Sequence, residues 1–442
     1  MSGSSYEPSR KRTRVLFLAW GFSIHAKRRI QIFVDDPSFE VAVVSTFDYG
    51  FDRTANFLLK GVKKKEGVCR RILEAAAAVR FLLMSSVTLK QELLLSRDFK
   101  RELVGQVKDF VSCRRLVVEM VRGAADFKTV KAAVTEFKPD VVFLQTLLYP
   151  CYLAYLLPRS IPFIVTFWNG DLTWWAQWNG IERISKEALV RHGIDRARAI
   201  TVNSTAAYET CLNYGATKEK VHLVRYPGVE LEKFRSREKN KARNDIGIVQ
   251  ERVVLCPRGL GGYLNSDVII EAVPEVVRRF PNTLFLFLSR KGDEKQWSDH
   301  LERARELGVE ENIRCDGHVP WEAMPSYYSA SDVMISVSSY DSLPNCLLEA
   351  MASEVPIVTS DLHQIREWIT DGVNGFTVPP RDPEMLADRI VKILEDGGEK
   401  AGKFGKENLR LVAQFADAKE NGEKIRDLVH KVAEAGRIDS VS

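Results

Sequence analysis

Two series of short apolar runs, each followed by helical periodicity, constrain the fold more than any other feature of this chain. In the first series the strand-like runs are residues 14–20, 41–45, 139–144, 162–167, 199–204 and 221–224. Gly21 closes the first run and a basic segment with His25, Lys27, Arg28 and Arg29 opens a helix. Strand, glycine, helix is how a doubly wound α/β unit begins. The second series has runs at 253–256, 283–288, 333–337, 356–359 and 375–378, with helices expected near 267–279 and 295–307. Such alternation implies parallel sheets covered by helices on both faces. Between the series, Arg235 to Lys241 is charged and lacks an apolar pattern, so a domain boundary is placed after Phe234. At 442 residues the chain exceeds one ordinary core, and more than one domain is expected.

The expected domains are a flexible tail at 1–13, a first domain at 14–234, a second at 235–402, and C-terminal helices at 403–442 that cross back to the first. Residues from about 52 to 135 carry no strand signal and read as a helical insert. Between Lys60 and Lys131 there are 17 Lys and Arg against 8 Asp and Glu, while the whole chain carries only +5. A basic helical face suits an anionic membrane surface, and equally suits helices packed on a domain with long cations in water. The few aromatic residues among these cations do not interleave with them in a stacking pattern, which argues against nucleic acid. No apolar run is long enough for a membrane span, and Met1 to Arg14 lacks the apolar core of a signal peptide. The seven cysteines are scattered without a C-x-x-C pair, which fits reduced thiols in the cytoplasm.

Chemistry concentrates where Val333–Val337 ends. Ser338, Ser339, Tyr340 and Asp341 form a loop, Ser342 is a candidate cap, Pro344 suits a first turn, and Leu347, Leu348 and Met351 have helical spacing. Amides near Asn345 and Cys346 would then form a helix N-terminus suited to phosphate, with Asp341 before it and Glu349 a turn inside. The same residues also fit an ordinary loop entering a core helix. Arg258, at the carboxyl end of the 253–256 run, can clamp a diphosphate or form a surface ion pair. In the first series, Trp168, Asn169, Gly170 and Asp171 lead to Trp174 and Trp175, a candidate acceptor platform or a small hydrophobic core under a loop.

Together these residues resemble glycosyltransferase family 4, retaining enzymes of the GT-B fold. The resemblance rests on Arg258, the Asp341-to-Glu349 pair, Leu343-Pro344-Asn345, Glu349-Ala350-Met351-Ala352, Val355-Pro356-Ile357-Val358 and the stretch from Thr370 to Pro383. It implies two Rossmann-like doubly wound domains facing a cleft, with a helical insert in the first. It also implies a hexosyltransferase that moves a sugar from a nucleotide-diphosphate donor to an acceptor hydroxyl. A lipid-linked or cell-surface glycan precursor is one acceptor class in view. By the resemblance, Arg258, Asp341 and Glu349 are catalytic. Gly21, Phe22, Gly261, Asn265, Ser342, Leu343, Pro344, Asn345 and Leu348 line the donor, and Trp168, Asn169, Gly170 and Asp171 line the acceptor side. No D-x-D pair occurs, so neither a metal nor another cofactor is expected beyond the nucleotide-sugar co-substrate. The implied location is the cytoplasm, with the inner membrane face as a peripheral site.

The sequence departs from the family in four places. Asp341 stands where Glu is usual. The family's diphosphate lysine is missing, with Asn265 nearest to it. Trp168 occupies the place of a frequent histidine, and Glu354 replaces a usual glycine. The missing lysine and histidine motivate one rival reading, a non-catalytic sugar-nucleotide or partner binder; a second rival is an epimerase or phosphorylase on the same fold.

Overall fold

The computed structural model describes residues 12–19, 24–59, 126–146, 154, 157–168, 171–172, 187, 190–290, 292–341 and 343–439. The tail at 1–11 and most of the basic insert, residues 60–125, lie outside this set. Two compact units emerge: residues 1–227 with 422–442, and residues 228–421. The division falls before Phe234 because that ring is fully buried in the second unit's core, beside Val229, Trp368 and Val412.

The first unit is a seven-stranded parallel sheet in the order β3-β2-β1-β4-β5-β6-β7. Its strands are β1 Thr13–Leu18, β2 Phe39–Ser45, β3 Ala55–Leu58, β4 Val141–Leu144, β5 Phe163–Phe167, β6 Ala199–Val202 and β7 Val221–Leu223. Alternation explains why the runs read as continuously apolar. Leu16, Val142 and Val165 face one core, and Val15, Phe17, Phe143 and Ile164 face another. The second core is closed by the helix Ile24–Val34 through Ala26, Ile30 and Phe33, and by the last helix through Ile425, Leu428, Val429, Val432 and Ala433. Arg437 holds Asp140 through two hydrogen bonds of 3.0 and 2.7 Å, which ties that helix to the start of β4.

Strand β3 corrects one expectation, since no strand was read between 52 and 135. Its four residues, Ala-Asn-Phe-Leu, are mostly exposed at the sheet edge and gain order from pairing with β2 rather than from their own pattern. The short edge strand β10, Ile313–Cys315, escaped the sequence reading for the same reason.

The second unit is a six-stranded parallel sheet in the order β10-β9-β8-β11-β12-β13. Its remaining strands are β8 Arg252–Cys256, β9 Thr283–Phe287, β11 Val333–Ser336, β12 Ile357–Ser360 and β13 Phe376–Val378. Val253, Leu255 and Met334 face one core, and Val254, Phe285 and Ile335 the other. Much of the Thr370–Pro383 stretch builds this fold. Buried Asn374 donates to the Trp368 carbonyl and to Asn408 Oδ1, and its own oxygen accepts from the Thr370 amide.

Glu354 ends the helix Asn345–Ala352 at φ +57°, the left-handed region where glycine is favoured. Its carbonyl lies where a side chain on Gly405 would stand, so the turn cannot shift to relieve the strain. Glu354→Gly is therefore expected to raise unfolding stability by about 0.5–1 kcal/mol, read as a higher denaturation midpoint at unchanged slope.

Candidate functional site

Strands β8 and β11 are neighbours at the point where the second sheet's order reverses, and ligands of open α/β sheets bind beyond the carboxyl ends there. Arg258 follows β8 and Asp341 follows β11. The two side chains, 22% and 13% exposed, are joined by a hydrogen-bonded ion pair. Ser338 Oγ donates to the same Asp341 oxygen at 3.2 Å. Burial works against the Arg258 charge, but the Asp341 carboxylate hydrogen-bonded to it favours the charged form, and its pKa lies above the ordinary arginine value. The arginine thus offers a fixed positive charge whose position is set by a carboxylate.

The helix Asn345–Ala352 starts directly after this pair. Pro344 is its N-cap, and among the described residues no side chain caps it; Ser342, the expected cap, lies outside them. The helix directs its positive end toward the Asp341 loop, a setting that favours an anion. Leu343 and Leu348 are 8% and 2% exposed and pack in the core, which anchors both flanks of the turn.

Glu349 is buried, and each carboxylate oxygen accepts a hydrogen bond of 2.9 Å, one from Trp321 Nε1–H and one from the Tyr328 hydroxyl. Burial, with Glu349 beside it, lifts the Tyr328 hydroxyl well above its ordinary range, so it remains a donor. Arg258 and Asp341 pair beyond the carboxyl ends of β8 and β11, and Glu349 lies one turn into the helix that follows Asp341. Burial pushes the Cys346 thiol up to about 12, so it is not a thiolate nucleophile at neutral pH.

Asn265 does not replace the missing lysine as a donor-facing group. It is 1% exposed, adopts φ +52°, and its amide donates to the Val337 carbonyl (2.9 Å) and Ser339 Oγ (2.8 Å). Its task is to bind the loop after β8 to the loop after β11. That loop is braced elsewhere too. The Leu260 amide donates to Asp293 at 2.8 Å, and the Gly261 amide donates to Ser266 Oγ at 2.7 Å. Gly261 stands at φ +74° with Gln296 close to where a side chain would begin. Among the described residues no group of three His, Cys, Asp or Glu side chains could hold a metal.

In the first unit, Trp168 and Asp171 share the turn after β5. Asp171 accepts from the Trp168 amide at 3.0 Å and from Thr146 Oγ1 at 2.9 Å, and the Trp168 indole donates to the Gln145 carbonyl at 2.9 Å. Arg29 lies over the Trp168 ring at 3.9 Å. Gly21, Phe22, Asn169 and Gly170, with Trp174, Trp175 and the His25 side chain, lie outside the described residues. Sequence reasoning gave no role to the side chains of Trp321, Tyr328 or Cys346. The only available signals were adjacency to the motif for Cys346 and the paired tyrosines before β11.

Two family models match the chain: "Glycosyltransferase Family 4" over residues 96–233 and "Glycosyl transferases group 1" over residues 251–396. A D-inositol 3-phosphate glycosyltransferase of Kribbella flavida is 30% identical over 235 residues, 51% of this chain and 55% of that protein. An alpha-D-kanosaminyltransferase of Streptomyces kanamyceticus is 27% identical over 210 residues, 47% of this chain and 53% of that protein. The chain thus spans about half the length of the curated relatives it matches. Among solved structures, Anabaena HepE in complex with UDP aligns with a TM-score of 0.66 at 15% identity, covering 95% of this chain and all of that one. At that identity the likeness shows a common fold. No helix among the described residues is long and apolar enough to cross a membrane.

Proposed function

Because the chain belongs to glycosyltransferase family 4, we propose that it moves a sugar from a nucleotide-diphosphate donor to an acceptor hydroxyl with retention at the anomeric carbon. The observation that carries this reading is the Arg258–Asp341 pair at the switch point of the second sheet, with the helix that carries Glu349 starting directly after it. The difficult step is departure of the nucleoside diphosphate, which gathers negative charge as the sugar turns cation-like. Arg258 and the positive end of the Asn345–Ala352 helix are preorganised for that charge, and such preorganisation is commonly the largest catalytic contribution. Asp341 holds Arg258 in place and faces the sugar side of the leaving group. Glu349, oriented by Trp321 and Tyr328, is the acceptor assigned to the ribose hydroxyls. No metal takes part in this scheme, and the acceptor attacks from the face the diphosphate leaves.

HepE has been solved with UDP and with UDP-glucose, which makes uridine sugars the first donors to try. The reading is tested by incubating the purified chain with a panel of nucleotide sugars and a mixture of lipid-linked and soluble acceptors. Expected are release of nucleoside diphosphate and a product of unchanged anomeric configuration by NMR. The inward-facing Asn265 favours one rival, a binder without turnover. Tight nucleotide binding with no diphosphate release from any donor would select that rival. An inverted product would overturn retention.

A further inference from the structure

A cavity of about 480 Å³ opens in the second unit at the edge of the sheet away from the Arg258–Asp341 pair. Arg252, Asp332 and Pro356 line it, and they stand at or just before the starts of β8, β11 and β12. These strands are neighbours, so the cavity lies under their amino ends, whereas the loops carrying Arg258 and Asp341 follow the carboxyl ends. Its volume suits a small-molecule ligand. The proposed transfer reaction makes no use of it.

One wall is cationic. Lys239 holds Asp332 at 2.9 Å, but Arg243 holds the same carboxylate at 2.7 Å and the Val253 amide donates to it at 2.7 Å, so the acid is satisfied with one cation to spare. Arg252 pairs with the exposed Glu251 at 3.2 Å and keeps further N–H groups. Arg237 is the least engaged; its guanidinium makes one long bond, 3.4 Å, to the Lys233 carbonyl. The Arg237 amide donates to Ser329 Oγ at 3.2 Å, which leaves that hydroxyl's proton for another acceptor. Cations are expected where helices end, and the helix Met324–Ala330 ends here. Its last carbonyl already accepts from Arg243 Nε at 3.0 Å, so that duty does not account for Arg237 and Lys239.

Glu354 enters the lining from a different element, the end of the helix Asn345–Ala352. A non-glycine residue held at φ +57° gives up stability, and such residues cluster where a ligand needs them. Its carboxylate supplies acceptors for hydroxyl groups. Beyond it, Gly397, Gly398 and Gly402 present bare backbone, since a side chain begun on any of them would meet nothing within 4 Å. Ile393 and Leu394 add apolar surface beside that opening. Cations with unspent donors, a carboxylate for hydroxyls and a wall without side chains together complement a phosphate joined to a hydroxylated ring.

We propose that this cavity binds a sugar phosphate, with the phosphate on Arg237, Lys239, Arg252 and the Ser329 hydroxyl, and the ring hydroxyls on Glu354. It is a second site that fills independently of the donor loops, and it stands whether or not the chain transfers sugar.

The test is calorimetric titration of the whole chain with glucose 6-phosphate, inorganic phosphate and glucose, each with and without saturating UDP. Glucose 6-phosphate is expected to bind at least about tenfold more tightly than either fragment, the step associated with a charge-assisted hydrogen bond, and equally well in the presence of UDP. Arg237→Gln and Lys239→Gln change exposed side chains, so the melting temperature should hold while glucose 6-phosphate binding falls several-fold in each and further in the double variant. Glu354→Gln should weaken glucose 6-phosphate several-fold and leave inorganic phosphate unchanged. Affinity no better than that of inorganic phosphate, displacement of glucose 6-phosphate by UDP, or wild-type affinity in the double variant overturns the site. None of these results bears on nucleoside diphosphate release, so the transferase reading stands or falls separately.

Discussion

Arg258→Ala is expected to lower kcat by about 10²–10³-fold with a smaller change in KM, since in the proposed scheme it meets charge that develops as the diphosphate departs. The structure shows why the loss should be large and why no neighbour substitutes. The guanidinium is partly buried and held by Asp341 at the carboxyl end of β8, while Asn265, nearest to the missing family lysine, is turned into the loop junction. Removing Arg258 also leaves Asp341 without its cation, which adds a repelling charge beside the leaving group. Arg258→Lys keeps the charge but not the fork geometry and should recover part of the rate. The check is steady-state kinetics of nucleoside diphosphate release with saturating acceptor. A variant within twofold of the wild-type rate would remove Arg258 from the chemistry.

The second large effect separates binding from folding at Glu349. Its carboxylate accepts from Trp321 and Tyr328 at 2.9 Å each, and Tyr328 is wholly buried. Glu349→Ala strips both donors of their acceptor and opens a cavity, so a stability loss of about 2–4 kcal/mol is expected. Glu349→Gln keeps the volume and one acceptor oxygen, and the Tyr328 hydroxyl can rotate to accept from the new amide. Its stability should fall by no more than about 1 kcal/mol. Its donor KM should rise about tenfold if, as proposed, this carboxylate also accepts ribose hydroxyls, because it has been made neutral. Chemical denaturation and donor titration of the two variants give the comparison. If Glu349→Gln binds donor as the wild type does, the residue is a structural anchor only.

Much of the second unit was legible because its strands are buried on both faces and its helices carry strong periodicity. Val253–Cys256, Thr283–Leu288 and Val333–Val337 each lie within a residue of an observed strand end. Two of the four edge strands were not legible, since Ala55–Leu58 and Ile313–Cys315 are ordered by one neighbour rather than by an apolar run of their own. Glu354 stood out against the family pattern, and its φ of +57° gives the reason a glycine is usual there. The partners of Glu349 could not be read, because Trp321 and Tyr328 reach it through the tertiary fold from a segment without a motif. Arg29 left a trace that is clear in retrospect. It lies three residues after Ala26 and four before Phe33, on the apolar stripe of its helix, where a charge is out of place unless something meets it.

The central claim is that the diphosphate of a nucleotide sugar sits between the loops that follow β8 and β11. Hydrogen exchange of the whole chain with and without UDP examines this most directly. UDP is predicted to slow exchange in the peptides covering residues 257–265 and 338–348, with Arg258→Ala weakening that protection. Protection confined to other segments, or none at saturating UDP, would contradict the account.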